Sequence, residues 1–71
     1  MRPERKRSLS IAGHRTSIAL EPEFWVGLET MAADKGLPLA ALIREIDEGR
    51  VSPNLSSAVR VAVLAWYRDR A

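Results

Sequence analysis

Residues 15–43 read RTSIALEPEFWVGLETMAADKGLPLAALI, and the order of patterns in this stretch decides the fold class. Polar and apolar residues alternate over 15–20, which is the period of a half-buried β-strand. After Pro22 the apolar spacing becomes that of an α-helix, which Gly36 is expected to end with a left-handed cap. Pro38 then suits the first position of another helix. The stretch predicts a strand followed by two helices, at about residues 15–20, 22–35 and 38–49.

A third helix is predicted over about residues 54–69, capped by Ser52 or Asn54. Arg60 is the only charged residue between positions 55 and 67, so this helix is apolar on nearly every side. Such a helix must be covered on several sides, and two short helices of the same chain cannot provide that cover. We therefore expect a second protomer or a partner protein to contact it.

The composition is that of one ordinary globular domain, because 46% of the 71 residues are hydrophobic and 28% are charged. There is no cysteine and only one histidine, which excludes disulfides and Cys/His metal clusters, and no cofactor is expected. A single core in so short a chain contributes only about 3–5 kcal/mol, and oligomerisation is the remaining way to add stability. The composition therefore favours a homodimer.

Neither a membrane protein nor an enzyme is expected. The longest apolar run, residues 61–67, is far shorter than the roughly 20 residues of a membrane span. No apolar segment with a cleavage site follows the basic start, so the pattern predicts a cytoplasmic protein without a signal peptide. The sequence shows no glycine-rich phosphate loop, and the acidic cluster of the second helix is typical of a solvated face: Glu45, Asp47 and Glu48.

Positive charge is concentrated at the N-terminal end. Residues 1–15 carry five basic residues and one acidic residue, whereas residues 16–71 carry six and eight. Residues 1–7 show no periodicity and are predicted to be a flexible arm. Basic arms on small domains commonly contact nucleic acid. The arm is thus a candidate for binding DNA phosphates through Arg2, Arg5, Lys6 and Arg7.

The predicted strand needs a pairing partner, because a lone strand leaves its backbone groups unpaired. No later segment has the pattern of a strand. We therefore predict a mostly α fold with one β-strand per chain, in which strands of two copies pair antiparallel across a two-fold axis. Residues 8–12 also alternate, and they could extend this ribbon or fold back as a hairpin through Gly13. A two-stranded ribbon fits the major groove of DNA, which is about 12 Å wide.

Taken together, these segments resemble the ribbon-helix-helix (MetJ/Arc/CopG-type) DNA-binding domain. Residues 15–43 match its strand, its acidic or proline helix start and its glycine at the helix junction, without gaps. The blocks GHRTSIALEPEFW, residues 13–25, and NLSSAVRVAVLAWYR, residues 54–68, are similar to a bacterial subfamily with an added third helix. The resemblance implies an intertwined homodimer with an intermolecular antiparallel ribbon, built from a domain that spans residues 8–71.

The resemblance also implies roles for individual residues. Outward strand side chains of such domains contact DNA bases, which here are Arg15, Ser17 and Ala19. Ala19 departs from the polar residue usual in the family and offers only a methyl contact. Backbone amides at the start of the second helix hold a DNA phosphate, here those of Leu39 and Ala40. His14 is a further candidate for DNA contact. The implied dimer core contains Ile18, Leu20, Phe24, Trp25, Leu28, Met31, Leu42 and Ile43.

One assignment stays open at this level. Residues 54–60, NLSSAVR, also resemble the start of the family's second helix. If they have that role, residues 37–50 are an insertion and the phosphate anchor moves to Ser56 and Ser57.

Two functions follow from these patterns. The first is a sequence-specific DNA-binding transcriptional regulator, a repressor that binds double-stranded DNA as a homodimer or a higher oligomer. The alternative is an antitoxin or another protein-interaction module, in which the apolar helix Leu55–Tyr67 binds a partner protein.

Overall fold

The computed structural model describes residues 4–70, which form a β-hairpin followed by three helices. The strands are β1, Arg5–Ile11, and β2, His14–Leu20. The helices are α1, Pro22–Lys35, α2, Leu39–Gly49, and α3, Leu55–Arg70. β2 and the three helices each begin and end within one residue of the limits expected from the sequence.

β1 is the main departure from that expectation. It pairs antiparallel with β2 of the same chain, from Ile11 opposite His14 to Arg5 opposite Leu20. The prediction of one strand per chain is therefore wrong. Of the two alternatives for residues 8–12, the structure shows the hairpin. Pairing of β2 does not require a second copy, and the homodimer stays a prediction.

The flexible arm predicted over residues 1–7 is wrong for residues 5–7, which lie in β1. The charged side chains at the start of β1 hide its strand period in the sequence. Arg7 lies on the face turned toward the helices, where its guanidinium is 4.5 Å from the centroid of the Trp25 ring. Arg2 lies outside the described residues.

A two-residue turn joins the strands. Ala12 and Gly13 both have positive φ, 53° and 84°, as a type I′ turn requires. Such turns suit the right-handed twist of the strands but strongly prefer asparagine or glycine at the first position. Alanine tolerates a left-handed backbone poorly, because its Cβ approaches the following carbonyl oxygen.

We expect Ala12→Asn to stabilise the hairpin by up to about 1 kcal/mol, since asparagine adopts the left-handed conformation more readily. Urea unfolding followed by circular dichroism measures the change. Ala12→Val is the opposing control, because a β-branched side chain at positive φ should lower the midpoint. Equal midpoints for the two variants would contradict this account of the turn.

The core lies between the inner face of the hairpin and the three helices. Alternation along β2 turns Ile18 and Leu20 inward, and Ile11 joins them at the end of β1. The residues expected in a dimer core are packed within one chain, and all of them are buried except Phe24, which is partly buried. α1 and α3 approach closely at Gly27, where a Cβ atom would lie 2.8 Å from Val63 Cγ1. Close helix packing thus explains a glycine inside α1.

The helix ends follow from local sequence. The carbonyl of Glu21 accepts hydrogen bonds from the backbone N–H groups of Phe24 and Trp25 at the start of α1. Gly36 ends α1 with a φ of 67°, as predicted, and the N–H of Leu37 donates to the carbonyl of Ala32 over 2.9 Å. At α3, the Asn54 side chain accepts a hydrogen bond from the N–H of Ser57, so Asn54 is the cap.

Candidate nucleic-acid interface

The outer face of the hairpin is a continuous polar surface that points away from the helices. Residues directly opposite each other on paired strands share a face. The register therefore places three pairs on this face, and all six residues are exposed except the half-buried Ala19: Lys6 with Ala19, Ser8 with Ser17, and Ser10 with Arg15. We call these six residues the outer face.

The chemistry of the outer face suits an anionic partner with hydrogen-bonding edges. It contains two cations, three hydroxyl groups and no carboxylate. Among residues 4–70, the structure gives Lys6 and Arg15 no ion-pair partner, so both cations are available to a ligand. At the centre, the Ser8 and Ser17 hydroxyl oxygens lie 3.3 Å apart, within hydrogen-bond distance. Hydroxyls of this kind donate and accept, and can therefore contact several bases.

The other basic residues of β1 point elsewhere. Arg7 Nη1 lies 3.2 Å from Glu29 Oε2, and its guanidinium stacks on Trp25. The Arg5 carbonyl accepts a hydrogen bond of 2.8 Å from the Trp25 indole N–H, and the Arg5 side chain is exposed on the side of Leu20. His14 is exposed beside the turn, opposite Ile11. Of the three described basic residues expected at phosphates, Arg5, Lys6 and Arg7, only Lys6 lies on the outer face.

The start of α2 lacks a side-chain cap. Pro38 is its capping residue and has no side-chain hydrogen bond to offer, so no side chain covers the first amides at Leu39 and Ala40. At α3, in contrast, Asn54 already binds the N–H of Ser57. The comparison favours α2 over α3 as the helix start with amides open to an anion.

Arg60 of α3 ties the junction between β2 and α1 to the third helix. Its Nε donates to Glu21 Oε1 over 2.9 Å, and its Nη2 pairs with Glu4 and lies 3.5 Å from the Ala19 carbonyl oxygen. These ion pairs of Arg60 were not predicted from the sequence. The one signal was a single arginine in an otherwise apolar helix, and such a residue needs an acidic partner.

We expect the ion pair of Glu21 and Arg60 at this junction to make the folding stability depend on pH. A hydrogen bond from its own backbone and then one from Arg60 hold the pKa of Glu21 below its usual value. A lowered carboxyl pKa means that the folded chain binds the proton more weakly than the unfolded chain does. The stabilisation is therefore present at neutral pH. It is lost as the pH falls below about 4.3, which is the ordinary pKa of a glutamate in the unfolded chain.

Urea midpoints of wild type and Glu21→Gln between pH 7 and pH 3 measure this effect. The wild type should be the more stable at neutral pH, and the difference should shrink below about pH 4.3. Glu45→Gln, on an exposed position of α2, is the control. A difference that stays constant over the whole range would show that the Glu21 carboxylate has no such role.

Within residues 4–70, α3 is covered on one side only. Val59 and Val63 are buried against the chain, whereas Val61 and Leu64 remain 62% and 64% exposed. Beside them lies an open groove of about 420 Å³ between α2 and α3, whose apolar lining includes Ile46, Val51, Ala58, Val61 and Ala62. The hairpin and the other two helices therefore leave an apolar strip on α3 without cover, as expected from its sequence.

Within residues 4–70, no three histidine or acidic side chains come together as metal ligands would. In the same residues, no helix has the length and apolar character needed to cross a membrane.

Comparison with known protein families matches residues 4–67 to the family model described as a ribbon-helix-helix domain. The matched region includes the hairpin, α1, α2 and most of α3. Searches of curated proteins and of solved structures gave no significant match. The family match confirms the resemblance that the sequence patterns indicated.

Proposed function

Since the chain belongs to the ribbon-helix-helix domain family, as the match over residues 4–67 shows, we propose that it is a sequence-specific DNA-binding transcriptional regulator. Proteins of this family are in general DNA-binding regulators. In the proposed complex, the hairpin enters the major groove and its outer face contacts the base edges.

The observation that carries the proposal is the outer face itself. It is exposed and free of carboxylates, and it has a cation at each end. Its two strands lie about 4.8 Å apart, so the hairpin with its side chains fits a groove about 12 Å wide. A surface built only to solvate the hairpin would not need to exclude acidic residues.

Each group has a role in this complex. Arg15 donates two hydrogen bonds to a guanine, Ser17 contacts a neighbouring base, and Ala19 packs its methyl group near the bases. The open amides of Leu39 and Ala40 bind a DNA phosphate, as helix starts commonly do. Arg5 and His14, exposed at opposite ends of the hairpin, reach the flanking backbone.

We further propose that the regulator acts as a homodimer and represses transcription by occupying promoter DNA. Two copies on adjacent half-sites would double the contact surface, and the apolar strip of α3 is a surface through which copies can associate. Occupancy of a promoter then blocks the polymerase without any further activity of the protein.

Binding to a labelled duplex from immediately upstream of the protein's own gene tests the proposal. A random duplex of equal length is the control, and both are titrated at several salt concentrations. We expect the upstream duplex to bind roughly 10³-fold more tightly. Equal, weak binding of both duplexes that disappears with salt would overturn sequence-specific regulation.

The exposed strip of α3 also supports a second candidate function, the binding of a partner protein as an antitoxin does. Light scattering of wild type and Leu64→Glu separates the two roles of this strip. A dimer that dissociates in the variant supports self-association. A wild type that stays monomeric at high concentration favours a different partner protein, and Thr30→Glu on exposed α1 is the control.

A further inference from the structure

Lys6 and Ala19 face each other at one end of the outer face. Ala19 by itself offers DNA only a methyl group, yet Lys6 is directly opposite on β1 and on the same face. Because the alanine side chain is small, the aliphatic stem of Lys6 can extend past it toward a base. The functional group at this end of the ribbon is therefore an ammonium group from β1.

The outer face has an approximate two-fold symmetry within one chain. An axis through the central pair of serines, perpendicular to the sheet, exchanges Ser8 with Ser17. The same rotation exchanges Lys6 with Arg15, both cationic, and Ser10 with Ala19, both small. One hairpin thus presents the arrangement that a ribbon made by two identical strands would have.

We infer that β1 is a second reading strand and that Lys6 is a specificity-determining residue. On this inference, one hairpin recognises a short inverted repeat with a guanine at each end, one contacted by Lys6 and the other by Arg15. The inference rests on the proposed DNA-binding function and adds to it the reading residues and the form of the site.

The strand geometry sets the spacing of the two guanines. Lys6 and Arg15 each lie two residues from the central Ser8–Ser17 pair, in opposite directions along the ribbon. Four residues of strand span about 13 Å, at about 3.3 Å per residue. Base pairs are stacked about 3.4 Å apart, so the guanines are expected about four base-pair steps apart. The two-fold relation places them on opposite DNA strands.

Both cations are suited to guanine. Arginine and lysine donate hydrogen bonds to its O6 and N7 atoms in the major groove. Neither Lys6 nor Arg15 has an ion-pair partner within residues 4–70, so no such pair has to be broken on binding. Arg7 lacks this freedom, because Glu29 and Trp25 hold it on the opposite face.

Selection of binding sequences from a randomised duplex library tests the inference. Wild type should select two guanines on opposite strands, about four steps apart. Lys6→Ala should lose the preference at one end and keep it at the other, and Arg15→Ala should do the reverse. Each loss should weaken binding to the selected site about ten-fold. Lys35→Ala, an exposed cation at the end of α1, is the control and should leave the selected sequence unchanged.

A second variant gives a positive signal. Lys6→Gln should change the preferred base at that end from guanine to adenine, because glutamine pairs with adenine N6 and N7. Circular dichroism verifies that each variant is folded. If Lys6→Ala keeps the whole motif and instead lowers the salt dependence of binding by about 0.9 in log–log slope, Lys6 contacts a phosphate and the inference is wrong.

The proposed function fails differently. If wild type selects no sequence at all, both the regulator and the inference are overturned. If wild type selects a motif that depends on Arg15 and not on Lys6, the regulator stands and only the inference about β1 falls.

Discussion

Trp25→Ala is expected to unfold most of the protein at room temperature. The Trp25 side chain is only 1% exposed, and its indole N–H donates to the Arg5 carbonyl over 2.8 Å. Removing a buried tryptophan costs about 3–5 kcal/mol, which is about what one core contributes in a chain of this size. Because Trp25 joins α1 to β1, the hairpin should lose its support first. Urea unfolding followed by far-ultraviolet circular dichroism measures the loss.

Two variants define the cause. Trp25→Phe keeps most of the ring volume but leaves the Arg5 carbonyl without its donor, which should cost about 1–3 kcal/mol. Val26→Ala, at the neighbouring residue that is 61% exposed, should change stability by less than about 0.5 kcal/mol. A Trp25→Ala protein that unfolds at the wild-type urea concentration would contradict the packing described for the core.

Arg15→Ala is expected to lower the roughly 10³-fold discrimination between the upstream duplex and random DNA by about ten-fold. A bidentate arginine–guanine contact contributes about 1–3 kcal/mol of discrimination, or roughly 5- to 150-fold in affinity. Contacts with phosphates persist in the variant, so binding to random DNA should weaken much less. Titration of both duplexes at fixed salt gives the ratio directly.

The control for Arg15 is another exposed arginine. Arg68→Ala, near the end of α3, removes the same charge from a residue whose ion pair within residues 4–70 is with its neighbour Asp69. It should leave the ratio of the two affinities unchanged. If Arg15→Ala weakens binding to both duplexes equally, Arg15 binds a phosphate and the outer face does not recognise bases through it.

Local patterns predicted the elements well. The alternation of β2 indicated its buried residues. Pro22 and Gly36 indicated the limits of α1, because proline fixes φ at a helical value and glycine permits the positive φ that ends the helix. The same patterns did not predict β1, because Arg7 occupies an inward-facing position at which an apolar residue is expected in a strand. An arginine can fill that position because its guanidinium stacks on Trp25, eighteen residues later in the chain.

The candidate site was predicted in part. Arg15, Ser17 and Ala19 lie on one exposed face of β2, which follows from the period of a strand. Lys6 was expected in a flexible arm, and its place beside Ala19 depends on the register of the hairpin. That register is set by a two-residue turn at Ala12 and Gly13. The turn lacks the asparagine–glycine sequence from which a hairpin turn is usually predicted.

The sequence by itself determined the order and limits of β2 and the helices, the buried face of β2 and the apolar character of α3. These features depend on backbone preferences and on spacing along a few turns or residues. Only the tertiary structure decided which segment pairs with β2, which acids hold Arg60, and which side of α3 stays uncovered. Those outcomes depend on contacts between residues far apart in the chain, and no local pattern encodes them.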